Sequence, residues 1–118
     1  EGLDLAAEER LLFRTPQPPT DDTWDDGFTY VSVEVARAAA DGGLKLIGID
    51  TPSMDPMKSK TLDAHKALFE GDVAILESVD LSGVAEGRYE LVALPLKISG
   101  ADSSPVRAIL RTLDGATR

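Results

Sequence analysis

Residues 63–77 read DAHKALFEGDVAILE, a stretch in which a helix-like segment, a glycine and a hydrophobic strand follow one another. We expect a short helix from about residue 59 or 61 to residue 69, ended by Gly71. Residues 73–76 then form a buried strand that delivers Glu77 at its end. The stretch therefore predicts a helix and a strand that bring the side chains at its two ends toward one another.

The residues before this stretch predict a second helix–strand unit. Ser32 is a plausible N-cap for a helix that runs to about Asp41, and Gly42-Gly43 ends that helix. Residues 44–49, LKLIGI, form a near-continuous apolar run, which is typical of a strand buried on both faces.

The remaining elements complete an α/β pattern. Residues 11–13 predict a short strand, and the Pro- and Asp-rich segment after it predicts a loop of about fourteen residues. A long strand over 88–98 contains Pro95, which favours an edge position or a bend, and residues 106–113 predict a closing strand. The order β-α-β-α-β-β-β predicts a mixed α/β sheet within at most one domain of 118 residues.

Composition excludes several classes of function. The chain has no cysteine, so disulfides and thiolate metal sites are excluded, and a cytoplasmic location is compatible with that absence. The net charge of −9 argues against nucleic acid or an anionic membrane as a partner, because phosphate binding requires a basic surface. No segment approaches the roughly 18 apolar residues of a membrane span.

The chain's single histidine, His65, precedes Glu77 by twelve residues. Imidazole and carboxylate are common ligands of hydrolytic metal ions, and a helix followed by a strand can bring these two to one point. Taken alone, the pair favours an ordinary histidine and a solvated carboxylate at a strand end over a metal site. No second histidine is present to complete a site.

Three further side chains follow the buried strand over 44–49, where α/β sheets place ligands. Asp50, Thr51 and Ser53 are candidates for contacts to substrate or to a metal ligand, although a tight turn explains them as well. Trp24, on the long loop, is a candidate cover for an aromatic substrate ring, with ordinary packing as the alternative.

Several strings resemble, in order and spacing, the bacterial kynurenine formamidases (arylformamidases) of the cyclase family of metal-dependent hydrolases. The resemblance covers roughly residues 11–113, and its strings are Ile47–Ser53, Asp55-Pro56, Ser59-Lys60, Asp63–His65, Ile75–Glu77, Tyr89–Leu91, Ala93–Lys97 and Ser104–Ala108. The wider cyclase family shares a His, a Gly and a Glu in the relation of His65, Gly71 and Glu77.

The resemblance implies a swivelling β/β/α fold with a mixed sheet and short helices, and a cytoplasmic homodimer. It implies that a pair of divalent ions, usually zinc, supports hydrolysis of N-formyl-L-kynurenine to L-kynurenine and formate in tryptophan catabolism. The family's ligands include a His and a Glu that match His65 and Glu77.

The other ligands of that family, and its acid/base histidine, come from an N-terminal motif without a counterpart here. We therefore identify no catalytic acid or base, and expect residues 1–118 to be the C-terminal portion of a larger hydrolase domain, inactive alone. Two alternatives are a non-catalytic module for dimerisation or small-molecule binding, and another cyclase-family hydrolase that opens an amide or an isatin-like lactam.

Overall fold

The computed structural model of the chain describes residues 8–16, 18 and 24–113. Within these ranges the elements are β1 (Arg10–Phe13), α1 (Val33–Asp41), β2 (Leu46–Ile49), α2 (Asp63–Glu70), β3 (Ala74–Leu76), β4 (Tyr89–Pro95) and β5 (Val106–Thr112). They fall into two units, one up to Leu81 and one from Ser82 onward. Neither helix of the described ranges has the length and apolar composition that crossing a bilayer requires.

The first unit is built on a parallel sheet in which β2 lies between β1 and β3. Leu46 pairs with Arg10 on one side and with Ala74 on the other. The α1 and α2 helices make the two crossovers that neighbouring parallel strands require. Because the strands are parallel, the residues that follow β1, β2 and β3 meet at one edge of the sheet.

The core of this unit lies around β2 and the two helices. Ile47 and Ile49 are almost fully buried, as an apolar run in a central parallel strand predicts. The other large side chains that are almost completely buried are Leu44, Met54, Leu68 and Thr51.

The α1 helix begins where the sequence predicts it. The Ser32 hydroxyl accepts a hydrogen bond of 3.3 Å from the backbone N–H of Val35, which satisfies one free donor of the first turn. Hydrogen bonds from its own backbone N–H and from Ser32 hold the pKa of Glu34 below its ordinary value. Gly42 is the C-cap, so both predicted ends are confirmed.

The two helices approach closely at Gly71, the C-cap of α2. A Cβ atom at this position would lie 2.3 Å from Cβ of Ala40 on α1. No two carbon atoms tolerate that separation, so the α1–α2 contact requires a residue without a side chain here. The φ angle of Gly71 is −87°, and space rather than backbone conformation is therefore the reason for glycine.

The second unit contains a two-stranded antiparallel ribbon of β4 and β5. Leu91 pairs with Leu110, and the neighbouring Glu90 and Arg111 form an ion pair across the strands. Pro95 ends β4, and each strand of a two-stranded ribbon is an edge, in keeping with the predicted edge position.

The order of helices and strands confirms the predicted β-α-β-α-β-β-β pattern. The structure differs in two respects. The parallel and antiparallel pairs lie in separate sheets of the described residues, because β4 and β5 pair with each other. The α2 helix begins at Asp63, since Leu62 adopts a left-handed conformation with φ of 52°. The predicted proline-rich loop falls in part on residues 17 and 19–23, outside the described residues.

Candidate metal centre

The site lies at the edge of the parallel sheet where the strands end. Glu77 directly follows β3, and the side chain of His65 projects from the first turn of α2. The Nε2 atom of His65 is 3.1 Å from Oε1 of Glu77. The structure thus brings together the two side chains that the sequence singles out, although they lie on different elements.

The other ring nitrogen of His65 is held by a buried carboxylate. Nδ1 of His65 lies 2.7 Å from Oδ2 of Asp55, whose side chain is 4% exposed. The same carboxylate accepts hydrogen bonds of 3.0 Å from the backbone N–H groups of Ala64 and His65. One side chain therefore fixes both the imidazole and the start of the helix that carries it.

Glu77 is also held by the backbone. Its Oε1 atom accepts a hydrogen bond of 2.7 Å from the N–H of Met54. Met54 is buried, and its carbonyl oxygen accepts a 3.0 Å hydrogen bond from the N–H of Val31. The carboxylate of Glu77 is consequently anchored to the loop that follows β2.

The charge of Asp55 is stabilised by its donors. Burial disfavours the ionised carboxylate and by itself raises the pKa. The hydrogen bonds from Ala64 N–H and from the side chain and backbone N–H of His65 outweigh burial and hold the pKa of Asp55 below its ordinary value. The site therefore combines an ionised buried carboxylate with a partly exposed one at Glu77, whose side chain is 27% exposed.

The other predicted polar residues have backbone partners. Both carboxylate oxygens of Asp50 accept from the N–H of Thr15, at 3.0 and 2.9 Å. The Thr51 hydroxyl donates to the carbonyl oxygen of Thr29 at 2.8 Å, and the Ser53 hydroxyl accepts from the N–H of Asp55 at 3.1 Å. These bonds give each residue a part in the turn after β2, while contact with a substrate stays a prediction.

Trp24 has local partners and a large exposed surface. Its Nε1–H donates to Asp26 at 2.7 Å, and its ring meets Phe28 edge to face at a centroid distance of 6.2 Å. The residue remains 60% exposed. Its predicted role as a cover for an aromatic substrate stays a prediction.

The chain is similar to curated proteins of known name. The chain is 51% identical over 105 residues to a kynurenine formamidase of Sphingopyxis alaskensis, covering 89% of this chain and 50% of the relative. It is 47% identical over 110 residues to a kynurenine formamidase of Salinibacter ruber, covering 92% of this chain and 52% of the relative. The chain is a homologue of kynurenine formamidases. It spans about half the length of these relatives.

Solved structures support the same family resemblance for this formamidase homologue. A predicted metal-dependent hydrolase from Bacillus stearothermophilus matches 76% of the chain with a TM-score of 0.67 and 36% sequence identity. A potential metal-dependent hydrolase with cyclase activity matches with the same three values. The match covers 43% and 44% of those two structures, respectively. No protein-family model matches the chain.

The donor atoms fit part of a metal site. Because the ring of His65 contacts Asp55 through Nδ1, its Nε2 atom is left to face the carboxylate of Glu77. A nitrogen and an oxygen donor at one point suit a divalent ion of the zinc type. Within residues 8–16, 18 and 24–113, no three His, Asp or Glu side chains are grouped to hold one ion. The described residues of this homologue therefore bring together two candidate ligands, and metal binding by them stays a prediction.

The sequence did not reveal the roles of Asp55 and Met54. Asp55 precedes His65 by ten residues, a separation that no local capping pattern includes. The contact of Met54 with Glu77 uses a backbone N–H, which every residue except proline possesses. Only the spatial arrangement of the loop after β2 identifies the two.

Proposed function

We propose that this chain is the C-terminal portion of a kynurenine formamidase, in which His65 and Glu77 are ligands of a catalytic divalent ion. The observation that carries the proposal is the 3.1 Å approach of Nε2 of His65 to Oε1 of Glu77, with Nδ1 held by Asp55. Metal-binding histidines commonly donate their second ring N–H to a carboxylate in this way. The sequence identity of 51% and 47% to kynurenine formamidases supports hydrolysis as the reaction in which the metal ion takes part.

The proposed reaction is hydrolysis of N-formyl-L-kynurenine to L-kynurenine and formate, a step of tryptophan catabolism. The oxygen of water forms a bond to the formyl carbon, the carbon–nitrogen bond breaks, and the departing amine nitrogen takes up a proton. A divalent ion bound at such a site would act as a Lewis acid toward the formyl oxygen. It would also lower the pKa of water enough to provide a nucleophile near neutral pH.

In the proposed site, His65 and Glu77 hold the metal ion and do not transfer protons. His65 is engaged through both ring nitrogens, by Asp55 and at the ligand position, and so it is not available as a general acid or base. Glu77 is fixed by the N–H of Met54 and presents its carboxylate beside the imidazole. The proton that reaches the amine therefore comes from a group other than these residues.

We infer that the metal is zinc, since imidazole nitrogen and carboxylate oxygen are both good zinc ligands. The family resemblance implies two such ions in the intact enzyme. The remaining ligands and the acid/base group then belong to the half of the relatives' length that this chain does not match. The cytoplasmic homodimer, without nucleic acid or membrane as partner, stays a prediction from the resemblance and the charge.

Metal binding tests the site directly. The protein for titration calorimetry is a metal-free chimera in which this chain replaces the matching half of the Sphingopyxis alaskensis kynurenine formamidase. It is expected to bind Zn²⁺, and binding is expected to be strongly weakened in its His65→Ala and Glu77→Gln variants. Gln retains an oxygen that accepts from Met54, so this variant removes the charge with little change of shape. Glu70→Gln is the matched control, because it neutralises an exposed carboxylate at the end of the same helix. Unaltered Zn²⁺ binding in His65→Ala would refute the assignment.

Activity is tested in a chimera that has the full length of a related enzyme. This chain replaces the matching half of the Sphingopyxis alaskensis kynurenine formamidase, to which it is 51% identical. The chimera is expected to release formate from N-formyl-L-kynurenine and to lose this activity in His65→Ala. A folded chimera that binds Zn²⁺ without releasing formate would favour the binding-module alternative, and one that instead opens isatin would favour the lactam hydrolase.

A further inference from the structure

The carboxylate of Asp55 is the most heavily engaged polar group of the site. Oδ1 accepts from the N–H of Ala64 at 3.0 Å, and Oδ2 accepts from the N–H of His65 at 3.0 Å. Oδ2 also contacts Nδ1 of His65 at 2.7 Å. All three bonds reach the first turn of α2, from a residue in the loop that follows β2.

Two of these contacts share one oxygen and end on one residue. Because Oδ2 binds both the backbone N–H and the ring Nδ1 of His65, it fixes the rotation of the imidazole relative to its own backbone. The helix has no side-chain cap at Leu62, the position where a local cap would lie. Asp55 therefore replaces the missing cap and orients the imidazole with the same carboxylate.

The second ring nitrogen faces a competing acceptor. Glu77 lies 3.1 Å from Nε2, is 27% exposed, and already accepts the N–H of Met54. Asp55 is closer, at 2.7 Å, and its side chain is only 4% exposed. A shorter hydrogen bond in a drier environment is the stronger one, so the proton of the neutral ring belongs on Nδ1.

We propose that Asp55 is a positioning residue: it holds neutral His65 in the Nδ1–H tautomer and aims the Nε2 lone pair at the metal position before any metal binds. Its neighbour Met54 holds Glu77 through a backbone N–H, so two consecutive residues set both ligands. The tautomer follows from the geometry alone, and the effect on metal affinity rests on the proposed function.

The single histidine of the chain makes the tautomer measurable. In the metal-free protein, labelled with ¹⁵N, long-range ¹H–¹⁵N correlations show which ring nitrogen carries the proton once the imidazole is neutral. The wild-type chain is expected to show the Nδ1–H form. In Asp55→Ala and Asp55→Asn the Nε2–H form, which free histidine prefers, is expected to become the major one. Asn suits this test because its amide N–H₂ can donate to Nδ1.

Ser32→Ala is the matched control for a purely structural effect. Ser32 caps α1 as Asp55 caps α2, yet it makes no hydrogen bond to the site. This variant is expected to lose stability while the tautomer of His65 and the affinity for Zn²⁺ stay unchanged. The Asp55 variants are expected to bind Zn²⁺ 10- to 100-fold more weakly, the usual effect of removing such a carboxylate.

The outcomes separate the two proposals. A neutral wild-type ring protonated on Nε2 would overturn the positioning role of Asp55, and so would an Nδ1–H ring in both Asp55 variants. If Asp55→Ala does not fold, the wild-type spectrum and Asp55→Asn still decide the matter. An Nδ1–H ring that depends on Asp55, together with a folded chimera that binds no Zn²⁺, would support the positioning role and refute the proposed function.

Discussion

Replacing Gly71 by alanine tests the packing that places α2. The added Cβ would lie 2.3 Å from Cβ and 3.0 Å from Cα of Ala40, and 3.5 Å from the carbonyl oxygen of Ala67. Carbon atoms in contact prefer a separation of about 3.5–4.0 Å, so α1 and α2 must move apart by more than about 1 Å. Neither methyl group can rotate away, because each is attached directly to the backbone.

The expected loss of stability follows from two opposing effects. Overpacking a well-packed contact costs about 1–3 kcal/mol, and the rigid atoms at this contact favour the upper part of that range. Replacing glycine in an ordinary backbone conformation restricts the unfolded chain and stabilises by about 0.4–1 kcal/mol. We therefore expect Gly71→Ala to lower the free energy of unfolding by about 2 kcal/mol, measured by urea denaturation.

Two further variants isolate the clash. Gly87→Ala is the control, because the nearest atom to its Cβ would be a ring carbon of Tyr89 at an ordinary 3.6 Å. Ala40→Gly removes the opposing methyl group, so the double variant with Gly71→Ala should be more stable than the sum of the two single changes predicts. A Gly71→Ala chain as stable as wild type, or strictly additive effects, would show that the helices do not meet as described.

Three other predictions concern the site and the surface. The pKa of Asp55 is lowered in the folded chain, so its contribution to stability is present above the unfolded value of about 3.9 and is lost as the pH falls through the folded value. Urea denaturation of the metal-free chain between neutral and acid pH should therefore show a smaller loss of the free energy of unfolding in Asp55→Asn than in wild type. Met54→Ala should cost about 2–5 kcal/mol in the same assay, because the side chain is completely buried, and a smaller loss would mean that the loop collapses into the space. Phe69→Gln should change stability by less than about 0.5 kcal/mol, since Phe69 is 84% exposed, and a larger loss would reveal packing of its ring.

Much of the fold is predictable because its signals are local. The apolar run over residues 44–49 predicts a central strand by hydrophobicity alone, and the Ser32 cap predicts the start of α1. Glu77 follows a short apolar segment, so its place at a strand end is predictable as well. In each case the property that decides the structure belongs to residues adjacent in the sequence.

The features that the sequence left open depend on residues far apart. The start of α2 is set by Asp55 rather than by a neighbouring cap, and the expected first turn from residue 59 or 61 is replaced by an irregular segment. The requirement for Gly71 depends on Ala40, which lies in the other helix. The pairing of β4 with β5 in a sheet of their own depends on which strand edges meet, and hydrophobic patterns do not encode that choice.

The loop after β2 explains how two candidate ligands from separate elements come together. Its first residues are anchored by the bond from Val31 N–H to the carbonyl of Met54 and by a 2.9 Å bond from Ser78 N–H to the carbonyl of Thr51. From this fixed loop Met54 reaches Glu77, and Asp55 reaches His65. Folding itself therefore orders both side chains, and binding of the proposed metal ion would not have to supply the free energy of ordering them. A change in this loop should alter both ligands together, whereas a change at the α1–α2 contact should move α2 and leave Glu77 in place.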